Sequence, residues 1–404
     1  MRRVVLIAAV ALAGCGHKHA ALPPTPAKPP HAAAPWTVLG LAVNASEDDV
    51  TGFAAGPRGG LVAVQEGDCR VRVAGGSRSR ALPGRLIDGP VSAGDHFAAV
   101  LGGCTGGAEL DELAPDGRTL SRIRLPLRGD GPVAIAAGPG PALGVAWGQG
   151  PRLWALARAP SGMLGQPMEL ARSSYGIESL AAVFLPTGRL LVAFSDFGHV
   201  RAVILGDRAR PRTLGPASDV SHLVAGVAGH RTIIAWGTLD GGEERNTPYK
   251  LYAAIGDRTR LLDTAPAIDD MQATDDPQTY PQLAVAPDGR ALLAWGSVTG
   301  KDFGRHSFPV RYAEAAPGHA FAKPRTLVRD GTVGGVALDQ DHALIAFQSG
   351  PRVWAAIDGR AELVADREPL PSPPSASFTG GRARLSWFAF GGARPSLRLA
   401  ERVL

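Results

Sequence analysis

The stretch Pro281–Gly296 (PQLAVAPDGRALLAWG) contains a short apolar run, a Pro-Asp-Gly turn and a second apolar run ending in an aromatic residue. This unit recurs along most of the chain, and the recurrence limits the fold more than any other feature. Copies align on the last residue of the second run, at Val64, Val100, Trp147, Phe194, Trp236, Trp295, Phe347 and Trp387. The shortest step, Val64 to Val100, is 36 residues, and the longest, Trp236 to Trp295, is 59. Four short strands occupy about 40–50 residues, the period of a propeller blade. A third strand is expected from Arg152, His199, Lys250, Val310 and Arg352, and a more polar fourth from Pro324 or Arg360. Second runs such as Ala291-Leu-Leu-Ala-Trp295 and Thr232-Ile-Ile-Ala-Trp236 are apolar without alternation. That pattern means burial on both faces, as in a sheet packed between two others.

The expected fold is therefore all-β: one β-propeller of eight blades. The alternatives are seven blades, because the repeat around Gly94–Arg122 is the least regular, or a sandwich of unrelated hairpins. The last repeat has three strands, near Ser375–Thr379, Ala383–Phe390 and Ser396–Val403, while Trp36–Val43 is a spare strand. That N-terminal strand is expected to supply the missing outer strand and close the ring. Closure removes sheet edges that invite aggregation. The 52 glycines and 34 prolines suit many turns between short strands.

The start of the chain reads as targeting. Met1-Arg2-Arg3 is basic and Val4–Leu12 is apolar but shorter than the about 20 residues of a membrane-spanning helix, so it reads as a secretory signal. Leu12-Ala13-Gly14-Cys15 follows and resembles the bacterial lipobox. The resemblance implies cleavage before Cys15, a lipid on that residue, and a mature bacterial lipoprotein held outside the cytoplasm on the cell membrane or the outer membrane. The expected organisation is a signal peptide over 1–14, a lipidated cysteine and Pro/Ala-rich tether over 15–35, and the propeller over 36–404. The tether has no apolar period and cannot bury a core. Its His17, His19 and His31 are read as solvating residues rather than metal ligands.

Three cysteines divide between two roles: Cys15 is the lipid site, while Cys69 and Cys104 follow the second strands of adjacent repeats. An exported chain favours oxidation, so a Cys69–Cys104 disulfide is expected. The formal charge of +5 becomes +3 when Arg2 and Arg3 leave with the signal. The cations are spread among acids, without the basic clusters and interleaved aromatics of a nucleic-acid surface, so nucleic acid is excluded as a partner.

The exported repeat is similar in pattern to sialidase-like and WD40-like propellers. The sialidase Asp-box and the Trp-Asp and Gly-His signatures of WD40 repeats are absent, so the resemblance implies architecture and brings no catalytic residues. Gly138–Gly144 has the wrong spacing and context for a dinucleotide loop. Gly-x-Ser-x-Gly, His-Glu-x-x-His and Cys-x-x-Cys motifs are also absent.

A site is expected where the long connections fall. Turns between first and second strands are short, at 287–290, 186–189, 228–231 and 339–342. The long insertions, 237–248, 263–280 and 296–309, all belong to the other face. They carry Asp240, Glu243, Glu244 and Arg245; then Asp263, Asp269, Asp270, Asp275, Asp276 and Tyr280; then Lys301, Arg305 and His306. Long loops on a rigid scaffold are where binding concentrates. The leading expectation is a non-catalytic monomer that binds a protein or glycan of the cell envelope on this face. One alternative is a polysaccharide hydrolase or lyase using two loop carboxylates; another is a structural subunit of an envelope assembly complex. No cofactor is expected. Ca²⁺ is the one alternative, against which the acidic stretch lacks the regular Asp spacing and Gly of a Ca²⁺ loop.

Overall fold

A computed structural model describes residues 35–42, 51–56, 59–75, 78–104, 106–127, 131–207, 210–218, 220, 222–239, 248–267, 280–297, 308–368, 371–390 and 396–404. The expected signal peptide, Cys15 and the tether as far as residue 34 lie outside the described residues. The described residues form 32 strands in eight four-stranded antiparallel sheets, with no helix among them. The blades span 51–83, 85–125, 133–172, 180–216, 223–267, 282–328, 332–365 and 375–403. In each, the first strand in sequence is innermost. Innermost strands touch their neighbours in order, and Ser375–Thr379 of the eighth blade touches Thr51–Gly56 of the first, so the ring is closed.

Closure uses the N-terminal strand as expected. Thr37–Ala42 pairs antiparallel with Ser396–Val403 as the outer strand of the eighth blade, in a register from Thr37 opposite Glu401 to Ala42 opposite Ser396.

The unbroken apolar second strands follow from packing on two sides. Ala291–Gly296 is buried throughout. Its alternate residues Ala291, Leu293 and Trp295 join the core shared with the fifth blade, while Leu292 and Ala294 join the core shared with the seventh. Each interblade layer is thus a separate core, and period-two alternation sends side chains to two cores instead of to core and solvent. The anchors Trp147, Trp236 and Trp387 likewise face the preceding blade. The second repeat departs from this alignment. Val100 faces the third blade and Leu101, one residue on, faces the first. The innermost strand Arg85–Ala93 shifts register on both sides of Asp88, which hid the correct phase of that repeat.

Small residues dominate the innermost strands because eight sheets converge there. A Cβ on Gly52 would lie 1.9 Å from the Gly89 carbonyl oxygen, and one on Gly335 would lie 2.6 Å from the Ala376 nitrogen. The Pro-Asp-Gly turn forms as read: Ala286 N donates to Arg290 O at 2.9 Å, Asp288 Oδ1 accepts from Arg290 N at 2.9 Å, and Gly289 has φ +89°. Left-handed φ of that kind favours glycine.

Candidate functional site

The three long insertions leave and re-enter at strand ends on one face of the ring. The second strand Arg231–Leu239 and third strand Pro248–Ile255 bracket the first, Arg258–Ala267 and Gln282–Val285 the second, and Ala291–Gly296 and Val310–Ala315 the third. In antiparallel four-stranded blades these ends all lie opposite the short first turns. Asp240, Glu243, Glu244, Arg245, Asp269, Asp270, Asp275, Asp276, Lys301, Arg305 and His306 lie outside the described residues.

The structure places two of the named loop residues. Asp263 belongs to the outer strand of the fifth blade and is buried, with both carboxylate oxygens hydrogen-bonded. Its Oδ2 accepts from Trp295 Nε1 at 2.8 Å, and its Oδ1 accepts from Thr264 N at 2.9 Å and from the Arg311 guanidinium. It is a joint between blades rather than a loop carboxylate. Tyr280 enters the sixth blade and stacks on His222, ring centroids 4.8 Å apart and planes 6° apart. Burial pushes the His222 pKa below its ordinary value, so the ring in this stack is neutral near pH 7. Two further histidines are exposed: His199 opens the third strand of the fourth blade, and His230 sits in a first turn.

The same face carries an aromatic pair that the repeat pattern did not single out. Tyr175 is 80% exposed and Phe197 54% exposed, and their rings meet edge to face with centroids 6.3 Å apart. Phe197 occupies the turn after the fourth blade's second strand, at φ 58°. A bulky side chain in that region is strained by roughly 1–2 kcal/mol. Neighbouring hydrogen bonds hold the conformation. Asp196 N donates to His199 O at 3.2 Å, and the Asp196 carboxylate pairs with Arg201 at 3.2 Å. Tyr175 sits on the connection from the third blade, where Ser173 Oγ accepts from Tyr175 N at 3.2 Å and Gly176 N at 3.3 Å. The two segments are tied together, since Glu178 N donates to Ser195 O at 3.2 Å and Ser179 N to Ser195 Oγ at 3.1 Å. The sequence cue was an aromatic next to glycine directly after an anchor, Ser195-Asp-Phe-Gly-His199; its exposure depends on the turn conformation.

Cys69 and Cys104 form a disulfide, Cα atoms 5.5 Å apart, joining loops of the first and second blades on this face. That separation is ordinary for a bridge. Among the described residues no three His, Cys, Asp or Glu side chains gather as a metal-ligand set.

The chain matches no family model and no curated protein. Three solved structures illustrate what the chain is similar to in fold. An α-L-arabinofuranosidase from Fusarium graminearum in complex with an iminosugar inhibitor is 10% identical over 67% of this chain and 92% of its own, with a TM-score of 0.35. The β-propeller domain of the Trilobed protease from Pyrococcus furiosus is 9% identical over 78% of this chain and 92% of its own, TM-score 0.41. An acylaminoacyl peptidase from Pyrococcus horikoshii is 10% identical over 84% of this chain and 57% of its own, TM-score 0.44.

Proposed function

We propose that this chain is a non-catalytic binding module of the cell envelope, exported, anchored through Cys15, and taking a glycan or protein ligand on the long-loop face. The observation that carries the reading is the Tyr175–Phe197 pair: two large aromatic rings in solvent, one on a strained turn, on the same face as the roots of the long loops. Strain retained at an exposed aromatic has no packing reason, and such strain clusters at ligand contacts. Exposed π faces accept the apolar C–H face of a sugar ring or the side chains of a protein, with little rotamer entropy to lose. The hydrolase reading requires two free carboxylates on this face. Asp263 and Asp196 on this face are engaged by arginines, and the loop acids Asp240, Glu243, Glu244, Asp269, Asp270, Asp275 and Asp276 lie outside the described residues.

The test is binding of the full chain to envelope glycans on an array and to proteins of an envelope extract, against a Tyr175→Ala, Phe197→Gly variant. The variant is expected to lose binding while the Phe197→Gly change, which relieves the positive φ, raises stability by about 1 kcal/mol. Equal binding by both chains, or a ligand turned over by the parent, would remove this reading.

A further inference from the structure

The opposite, short-turn face holds a recessed cleft between the fourth and fifth blades, with a volume of about 780 Å³. Its floor is apolar: Leu191 and Val203 from the fourth blade, with the partly buried Ile204 and Ile255 closing the sides. Its rim is cationic. Among the described residues Arg210, Arg212, Arg231 and Arg258 line it against Asp207 and Asp257, and the exposed His230 lies on the rim.

The four guanidinia are not equivalent. Arg212 is held by Asp257 and donates to the Gly256 carbonyl at 2.8 Å. Arg231 donates to the Gly318 carbonyl of the sixth blade. Asp207 pairs with Arg189 at 3.9 Å. Arg210 and Arg258 make no hydrogen bond or ion pair among the described residues. The cleft therefore presents two uncommitted guanidinia over an apolar floor, with one of the two acids already paired to Arg212. Guanidinium forks match carboxylate and phosphate oxygens in pairs. A concave site of several hundred cubic ångströms, apolar with a few convergent polar groups, is of a size to hold one small molecule.

We propose that this cleft binds a small amphipathic anion, a carboxylate or phosphate head on an apolar body, with the head on Arg210 and Arg258 and the body on the floor of Leu191 and Val203. The ligand is a single molecule in solution rather than a bilayer surface, because the floor is recessed between blades. The site is independent of the ligand proposed for the long-loop face.

The test is calorimetry of the full chain with four probes and one vesicle control. The probes are octyl phosphate, octanoate, inorganic phosphate and octyltrimethylammonium, all below micellar concentration; the vesicles contain phosphatidylglycerol. Octyl phosphate and octanoate are expected to bind at least ten-fold more tightly than inorganic phosphate and than octyltrimethylammonium. An Arg210→Ala, Arg258→Ala variant is expected to weaken octyl phosphate at least ten-fold with an unchanged melting temperature, since both side chains are exposed and neither is paired among the described residues. Three results would each overturn the proposal: equal binding of the cationic and anionic amphiphiles, equal binding of octyl and inorganic phosphate, or binding to vesicles alone. Unchanged binding by the double variant would do the same. The comparison among probes needs no variant, so it stands even where a substitution disturbs folding.

Discussion

Asp88 and Glu112 are carboxylates that each tie the second blade to the third, with opposite electrostatic signatures. Asp88 lies on the innermost strand; its Oδ1 accepts from Gly89 N at 2.8 Å and its Oδ2 from Ile135 N of the third blade at 2.7 Å. Desolvation outweighs these two bonds and pushes its pKa up to about 6. Glu112 receives both guanidinium nitrogens of Arg158, at 2.8 and 2.7 Å, and lies 3.0 Å from His96 Nε2; its pKa falls to about 2, chiefly through the Arg158 hydrogen bonds. The signs follow by linkage. Asp88 contributes stability that is full below its unfolded value of 3.8 and lost as pH rises through about 6, at most about 3 kcal/mol. Glu112 contributes stability that is full above its unfolded value of 4.5 and lost as pH falls through about 2. In melting temperature measured from pH 2 to 8, Asp88→Asn should flatten the limb between pH 4 and 6, and Glu112→Gln the limb below 4.5. Glu112→Gln also leaves Arg158 with its bond to the Pro141 carbonyl but without its carboxylate partner, and should cost about 3 kcal/mol at pH 7. A parent-like profile in either variant would contradict the assignment. Neither role could be read from the chain, because both partners lie in the next blade.

At the scale of the element, the hairpins show how little sequence a correct turn needs. Ala286–Arg290 and Leu185–Arg189 close first turns with one pair of hydrogen bonds. Ala114–Arg118 closes the turn between third and fourth strands of the second blade with the same pair. The motif specifies a hairpin and not a position in the blade, which explains why the second repeat was hard to phase from turns alone. The innermost strands are constrained differently, by backbone approach. Gly52→Ala places a methyl on the Gly89 carbonyl and should cost about 3 kcal/mol or more, as overpacking does. Gly198→Ala, with nothing within 4 Å of its Cβ, should stay within about 0.5 kcal/mol. Chemical denaturation of both variants checks the contrast, and equal costs would show that the ring centre is not tightly packed.

On the scale of the whole molecule, closure joins residues far apart in sequence. The first and eighth blades share a core of Val62, Val64, Phe388 and Leu397, and the N-terminal strand completes the eighth sheet. Of two adjacent residues in an edge strand, one directs its N–H at the partner. Leu39→Pro with Gly40→Pro therefore removes at least one ladder bond and adds strain at the seam. The variant should melt earlier by the equivalent of about 2 kcal/mol or more, with faster hydrogen exchange across Ser396–Val403. Unchanged exchange there would mean that the seam is not held by this strand. The seam was legible because arithmetic required it: the final repeat had three strands and the chain had one to spare. The eight-blade count was legible for the same reason, and the anchors fell on second strands in every repeat, with the second displaced by one residue.

The sequence alone determined the architecture, because a propeller is written in local signals: turn chemistry at each hairpin, two-sided burial of each second strand, and a period. It determined which loops are long and which face they share, since strand direction alternates without reference to distant contacts. Only the tertiary structure decided which side chains on those faces are committed. Asp263 looked like a loop acid and is sealed between Trp295 and Arg311, whereas Phe197, which the repeat pattern did not single out, stands in solvent. Arginines scattered through two repeats converge on one cleft, two of them without a partner among the described residues. Pairing and exposure are properties of neighbours brought together across blades, and a one-dimensional pattern carries no distances between blades.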